Sequence, residues 1–216
     1  MKFLYYPNPT PQLEIEGEKF KYLFKVRRTQ VGEIVPVRTL KDDLLYLYQV
    51  EKVEKRRGVL KLVGRREEPV LPPRYLHLGW CIVDPKTIEK ALPHLNEIGV
   101  SKISFIYCDR SQHNFRLRLD RIERILIESC QQCGRSRLPE IEVIESSDRF
   151  AQLYPETVRL DFGGGEVTSS LKRVIVGPEG GFTDRERHLF PASVGFKGFI
   201  LKSETAACAV AAKILL

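Results

Sequence analysis

The sequence predicts a two-domain chain: a small β-barrel or sandwich carrying one helix, followed by an α/β domain built on a largely parallel sheet. Three observations carry this. Residues 1–70 hold short runs of period-2 alternation, residues 66–75 form a proline-rich break, and from Tyr75 onward strand-like and helix-like segments alternate.

In the first part, "GEIVPVRTL" (32–40) and "LLYLYQVEKVEKRRGVLKLVG" (44–64) alternate apolar and polar residues around turns carrying Asp42, Asp43 and Gly58. One helix interrupts them over 16–28, where Phe20, Leu23, Phe24 and Arg27 recur at helical spacing. Three prolines in "REEPVLPPRY" (66–75) then stiffen the chain and remove backbone donors, which sets the domain limits at 1–70 and 71–216. Beyond them run the strand-like "YLHLGWCIV", "KISFIYC", "VRLDF", "VIVGP" and "GFILK". Their helical partners are "TIEKALPHLNEIG", "LDRIERILIESCQQCG", "DRERHLF" and "ETAACAVAAKILL". Ligands of such sheets bind beyond the carboxyl ends of the strands.

Charge and composition narrow the function. Lys and Arg number 35 against 28 Asp and Glu, a net charge of +7, which points to a polyanionic partner. Residues 1–70 hold 15 basic and 10 acidic side chains, so the small domain carries most of the surplus. No apolar stretch approaches the ~20 residues of a membrane helix, and "MKFLYYPNPT" lacks a signal-peptide core, so a cytoplasmic protein without membrane contact is expected. Five scattered cysteines predict reduced thiols rather than a disulfide framework. No metal site is expected: Cys130 and Cys133 form a lone C-x-x-C, and His77, His94, His113 and His188 share no ligand spacing.

The segment "VIVGPEGGFTDRERHLF" (174–190) carries the strongest signal. Gly177, Pro178, Glu179, Gly180 and Gly181 match neither the P-loop nor the dinucleotide spacing, and Glu179 would repel a phosphate. A cationic or hydroxyl-rich ligand suits the loop better. Thr183 and Glu186 form a T-x-x-E capping box that opens the next helix.

Further on, a strand "FIL" is expected to enter a helix through Lys202, Ser203, Glu204 and Thr205. Its alanines, from Ala206 and Ala207 to Ala212, allow close approach of another backbone or a flat ligand. In the long helix after Cys108, Leu119, Ile122, Leu126, Cys130 and Cys133 mark a core face. Arg110, Arg116, Arg118, Arg121, Arg124, Arg135 and Arg137 supply a basic face and flanks suited to phosphate contact.

Together "RSQHNF", "ESCQQCGRSRLPEI", "VIVGPEGGFTDRE" and "ILKSETAA", in this order, resemble the RsmE family of small-subunit ribosomal RNA methyltransferases, of the SPOUT superfamily. "YLFKVRRTQVGEIVPV" extends the resemblance more loosely into the first domain. The resemblance implies a trefoil-knotted α/β methyltransferase domain after a PUA-like RNA-binding β-barrel. It further implies a homodimer that transfers methyl from S-adenosylmethionine to N3 of a uridine in 16S rRNA of the small ribosomal subunit.

Carried onto this chain, the cofactor would be held by Gly177, Pro178, Glu179, Gly180 and Gly181, by Ile200, Leu201, Lys202, Ser203, Thr205 and Ala206, and by Phe162 after "VRLDF". Arg110 would stabilise charge on the uracil or grip its phosphate, and Glu204 would accept a proton or cap its helix. Arg27, Arg28, Arg110, Arg116, Arg135 and Arg137 are the expected RNA contacts. A knotted methyltransferase acting on another RNA position, or a non-catalytic RNA-binding assembly factor, would share much of this pattern.

Overall fold

The computed structural model describes residues 1–216. The chain forms two compact units, Met1–Leu71 with Cys130–Leu138, and Pro72–Ser129 with Pro139–Leu216.

In the first unit, β1 (Leu4–Tyr5), β2 (Gln12–Ile15), β3 (Ile34–Arg38), β4 (Leu44–Val53) and β5 (Gly58–Glu67) form a sheet of order β1-β3-β4-β5-β2. Only β1 and β3 run parallel; the other neighbours are antiparallel. Leu4 of one edge strand and Leu13 and Ile15 of the other share one core with Val37, Tyr48 and Leu60, so the sheet curls around it. The expected helix is present as α1 (Gly17–Phe20), running into a π-helical stretch Lys21–Val26. Its Phe20, Leu23 and Phe24 plug the core, while Arg27 stays exposed.

The segment Cys130–Leu138 belongs to this unit through specific bonds. Ser136 is fully buried, donates its hydroxyl to Asp43 Oδ1 (3.1 Å) and accepts from the Val70 amide (3.1 Å). Arg137 grips Asp43 with a two-pronged contact of 3.0 and 2.6 Å. These hydrogen bonds hold the Asp43 carboxyl below the usual range even against its partial desolvation.

The second unit is a six-stranded sheet of order β11-β9-β10-β6-β7-β8 with every neighbouring pair parallel. Its strands are β6 (His77–Cys81), β7 (Lys102–Ile106), β8 (Glu140–Ile144), β9 (Val158–Glu166), β10 (Arg173–Val176) and β11 (Ser193–Gly195). Its helices are α2 (Pro85–Ile98), α3 (Leu119–Cys133, which ends in the first unit), α4 (Ser147–Leu153), α5 (Asp184–Leu189) and α6 (Ser203–Leu215). Local chemistry explains the boundaries. Asp84 accepts from the Thr87 amide to start α2, with Pro85 in the first turn, and Gly99 ends it at φ 108°. The capping box is made: Thr183 accepts from the Glu186 amide and Glu186 from the Thr183 amide.

Four expectations are corrected. "FIL" is not a strand: Phe199 and Ile200 are exposed without strand pairing, and the edge strand is Ser193–Gly195, set by its register on β9. β8 and α4, which alternation did not reveal, occupy 140–153. On α3 Ile122, Leu126 and Cys130 are buried, whereas Leu119 and Cys133, at the two ends of the helix, are exposed. Cys81 and Cys108 form a disulfide rather than two reduced thiols. Though 27 residues apart, they lie at the ends of neighbouring parallel strands, with Cα atoms 5.6 Å apart.

At the opposite ends of these strands lies a buried polar relay. Arg173 Nε donates to His77 Nδ1 (3.0 Å), so Nε2 carries the proton and donates to Ser104 Oγ (2.6 Å), which donates to Glu142. Tyr154 donates to the same carboxylate (2.9 Å). Burial, with Arg173 and Lys102 nearby, lowers the His77 pKa to about 4, against the opposing pull of Glu142. The unfolded chain therefore takes up a proton near pH 6.5 that the folded chain refuses. Stability is full above that pH and declines as pH falls toward 4, by on the order of 3 kcal/mol in total. Urea melts between pH 7 and 4.5 measure this decline, and a flat profile would contradict a neutral His77.

Candidate active site

The middle of β9, the loop beyond the carboxyl end of β10, the end of β11 and the approach to α6 line a cavity of ≈ 430 Å³ in the second unit. Phe162, Gly177, Pro178, Glu179, Gly180, Gly181, Ile200, Leu201, Lys202, Ser203 and Ala206 all line it. Thr205 is the one expected cofactor contact outside the lining; it is exposed on the first turn of α6.

The glycine loop is shaped by close contacts. The Gly181 amide donates to Pro178 O (2.9 Å), and Gly181 sits at φ 68°, a conformation that favours glycine. At Gly177 a Cβ would meet the buried Phe182 ring at 3.2 Å. Ser203 ties three elements together: its hydroxyl accepts from Trp80 Nε1 of β6 (2.9 Å) and donates to Gly177 O (2.6 Å). With both its hydrogen-bond roles used in this way, Ser203 fixes the floor of the site.

Two carboxylates line the cavity, and they differ in compensation. Asp161, which the sequence did not disclose, lies just past the point where β9 stops pairing with β10. Its Oδ2 accepts from Arg159 Nε and Arg187 Nε, both at 2.9 Å, and Oδ1 from the Phe162 amide (2.9 Å). Burial raises its pKa, but the Arg187 bond and the Phe162 amide outweigh burial and leave the net shift downward. Glu179 is exposed and has no such partner. Of the two lining cations, Arg187 is engaged by Asp161 while Lys202 has no carboxylate partner, and Glu179 is the one lining carboxylate without an ion pair. The walls are otherwise apolar, from Leu160, Val176, Phe182, Phe196 and Leu201.

Arg110 does not line the cavity but braces it. Its NH1 donates to Gly180 O, and its Cδ lies 3.1 Å from where a Gly180 Cβ would stand. The loop bearing it is anchored in turn: Glu186 accepts from the Asp109 amide (3.0 Å), and Asp109 receives Thr183 Oγ1 (2.6 Å) and Arg185. Glu204 is half-buried in the first turn of α6, whose N-cap Lys202 makes no side-chain capping bond.

The expected RNA contacts divide. Arg27, Arg28 and Arg116 are exposed, and Arg28 adopts φ 57°. Arg135 is only 7% exposed, which removes it from the solvated basic face, and Arg137 is committed to Asp43. Both changes follow from folding of the "CGRSR" turn into the first unit. No group of His, Cys, Asp and Glu side chains is arranged to hold a metal ion.

Comparison with known proteins is consistent with this geometry. Residues 71–215 match the family model of the RNA methyltransferase domain, and residues 15–63 that of the RNA methyltransferase PUA domain. A ribosomal RNA small subunit methyltransferase E of Helicobacter pylori is 41% identical over 221 residues, 98% of either chain. One from Aquifex aeolicus is 31% identical over 84% of this chain and 82% of its own. In fold, the chain resembles the ribosomal RNA small subunit methyltransferase E of Neisseria gonorrhoeae bound to S-adenosyl methionine, with TM-score 0.80 and 21% identity over 98% of this chain and 95% of that one. The chain thus belongs to the ribosomal RNA small subunit methyltransferase E family, with an α/β RNA methyltransferase domain and a PUA domain.

Proposed function

We propose that this protein methylates N3 of a specific uridine in 16S rRNA, using S-adenosylmethionine, and that it works in the cytoplasm as a homodimer. The observation that carries the reading is the cavity itself, with its glycine loop, apolar walls and single uncompensated carboxylate, Glu179. Its ≈ 430 Å³ and mixed lining suit a ligand with a flat base, ribose hydroxyls and positive charge. Family membership supplies the RNA substrate class.

The cofactor supplies an already activated methyl group, so the protein's work is positioning. Gly177–Gly181 and Ile200–Ala206 would hold it through backbone and wall contacts, with Glu179 facing its positive charge. N3 lies on the pairing edge of uracil and carries a proton, so the base must be unpaired or flipped, its proton given up to solvent water, and the resulting anion stabilised while the N–C bond forms and the donor's S–C bond breaks. Arg110, beside Gly180, is the group we assign to that charge. Glu204 first serves the α6 N-terminus, where a carboxylate complements the helix dipole.

The homodimer reading draws on apolar side chains that lie bare on this unit: Phe162 at 71%, Phe199 at 96% and Ile200 at 80% exposure. Sedimentation at micromolar concentration should give a dimer, and a monomer would remove that part of the reading.

Incubation with labelled S-adenosylmethionine and small subunits or naked rRNA, followed by mapping of the methylated nucleotide, tests the whole. Methyl on another position would make this a sibling activity, and RNA binding without cofactor binding would favour an assembly factor. Glu179→Lys is expected to weaken cofactor affinity about tenfold with the fold intact; unchanged affinity by calorimetry would refute the charge argument. RNA affinity should drop at least about tenfold between roughly 50 and 200 mM salt, because exposed Lys and Arg displace counterions. A salt-independent affinity would refute the basic-surface argument.

A further inference from the structure

We infer that the loop after β7 carries a nucleobase-stacking platform, Tyr107, His113 and Arg116, that grips single-stranded RNA beside the cofactor cavity; this rests on the methyl-transfer reading above. The platform is ordered by its own bonds. Tyr107 Oη donates to Phe115 O (2.8 Å), and Arg116 NH1 donates to His113 O (2.6 Å) and Phe115 O (3.1 Å), which curls residues 113–116 back over the tyrosine. The His113 and Tyr107 rings stack at 5.8 Å with planes 16° apart, and the Arg116 guanidinium lies 5.9 Å from the Tyr107 ring centre. His113 and Arg116 are exposed, so the imidazole face turned from Tyr107 is open to a flat partner.

Charge selects the same loop. On this unit Arg118, Arg121, Arg124, Arg185 and Arg187 each face a carboxylate within 4.0 Å. Arg110 and Arg116, like Arg74 elsewhere on the unit, face only backbone carbonyls, and of these only Arg110 and Arg116 flank an aromatic pair. Aromatic faces interleaved with unpaired guanidinium groups are what a single strand requires, since bases stack on the former and phosphates neutralise the latter. The loop also reaches the cavity wall through the Arg110 bond to Gly180, so a base held at His113 lies along the strand from a base delivered to the cofactor. The ligand class is a nucleobase flanking the target nucleotide.

The test compares wild type with His113→Ala, His113→Phe and Arg116→Gln. His113→Ala is expected to raise KM for rRNA about tenfold, the value of one stacked base, while kcat changes far less and cofactor affinity by calorimetry is unchanged. His113→Phe, which keeps a flat face, should restore KM, and Arg116→Gln should raise KM and flatten its salt dependence. A short single-stranded RNA carrying 2-aminopurine, titrated without cofactor, should be quenched by wild type and His113→Phe but not by His113→Ala. If His113→Ala keeps wild-type KM and quenching, the platform is overturned. If wild type quenches the probe yet transfers no methyl to rRNA, the methyl-transfer reading fails while the platform stands.

Discussion

Gly164→Ala is expected to destabilise the protein by about 3 kcal/mol or more and to weaken cofactor binding by more than tenfold, whereas Gly165→Ala, one residue on, leaves both nearly unchanged. The difference lies in what each new methyl group would meet. At Gly164 it would stand 2.5 Å from the carbonyl carbon of Val194 and 2.7 Å from that residue's Cα and N, all backbone atoms that no rotamer can move aside. At Gly165 the nearest atom is Ser193 O at 3.6 Å, an ordinary contact. Gly195 reports the same crossing from the other strand, with a prospective Cβ 2.5 Å from Asp161 O. β9 and β11 therefore touch backbone to backbone, and only glycine permits it. Driving them apart displaces Gly195 and Phe196 on one cavity wall and Asp161 and Phe162 on another. Thermal melts should show Gly164→Ala lowered by roughly 6–12 °C, with calorimetry reporting the loss of cofactor affinity. Equal behaviour of the two variants would show that the close crossing does not matter.

That crossing was invisible in the sequence, and the reason is general to this chain. Features written in local spacing were legible: the Thr183 and Glu186 capping box, and the period-2 strands around Tyr46 and Tyr48. The glycine loop was legible too, because Glu179 beside three glycines excludes phosphate on charge alone. Pairings set by tertiary register were not. Asp161 of β9 meets Arg187 of α5 across 26 residues, and Cys81 meets Cys108 across 27 because neighbouring parallel strands align their carboxyl ends. "FIL" has strand-forming residues, yet strand identity needs a partner, and β9 pairs with Ser193–Gly195 instead. Arginine count likewise overstated the RNA face. Arg137 had a carboxylate waiting at Asp43, whereas Arg116 did not, and spacing cannot separate these cases.

For Arg110 the separation has a consequence that kinetics can read. Arg110→Ala is expected to lower kcat about 100-fold, the scale of removing one group that stabilises developing anionic charge, while cofactor affinity falls by less than tenfold. Some loss of affinity must accompany it, because the side chain also packs on Gly180 and donates to its carbonyl. Arg110→Lys divides the two roles. A lysine restores positive charge but not the planar fork that serves the carbonyl and a second acceptor together, so kcat should recover in part. The loop need not move far when the side chain is cut, since Asp109 keeps its anchors to Glu186, Thr183 and Arg185 independently of Arg110. A loss shared equally between kcat and cofactor affinity would therefore make Arg110 a brace of the glycine loop alone. The charge of the uracil N3 would then have to be met elsewhere, with Lys202, the other uncompensated cation at the cavity, the next residue to substitute.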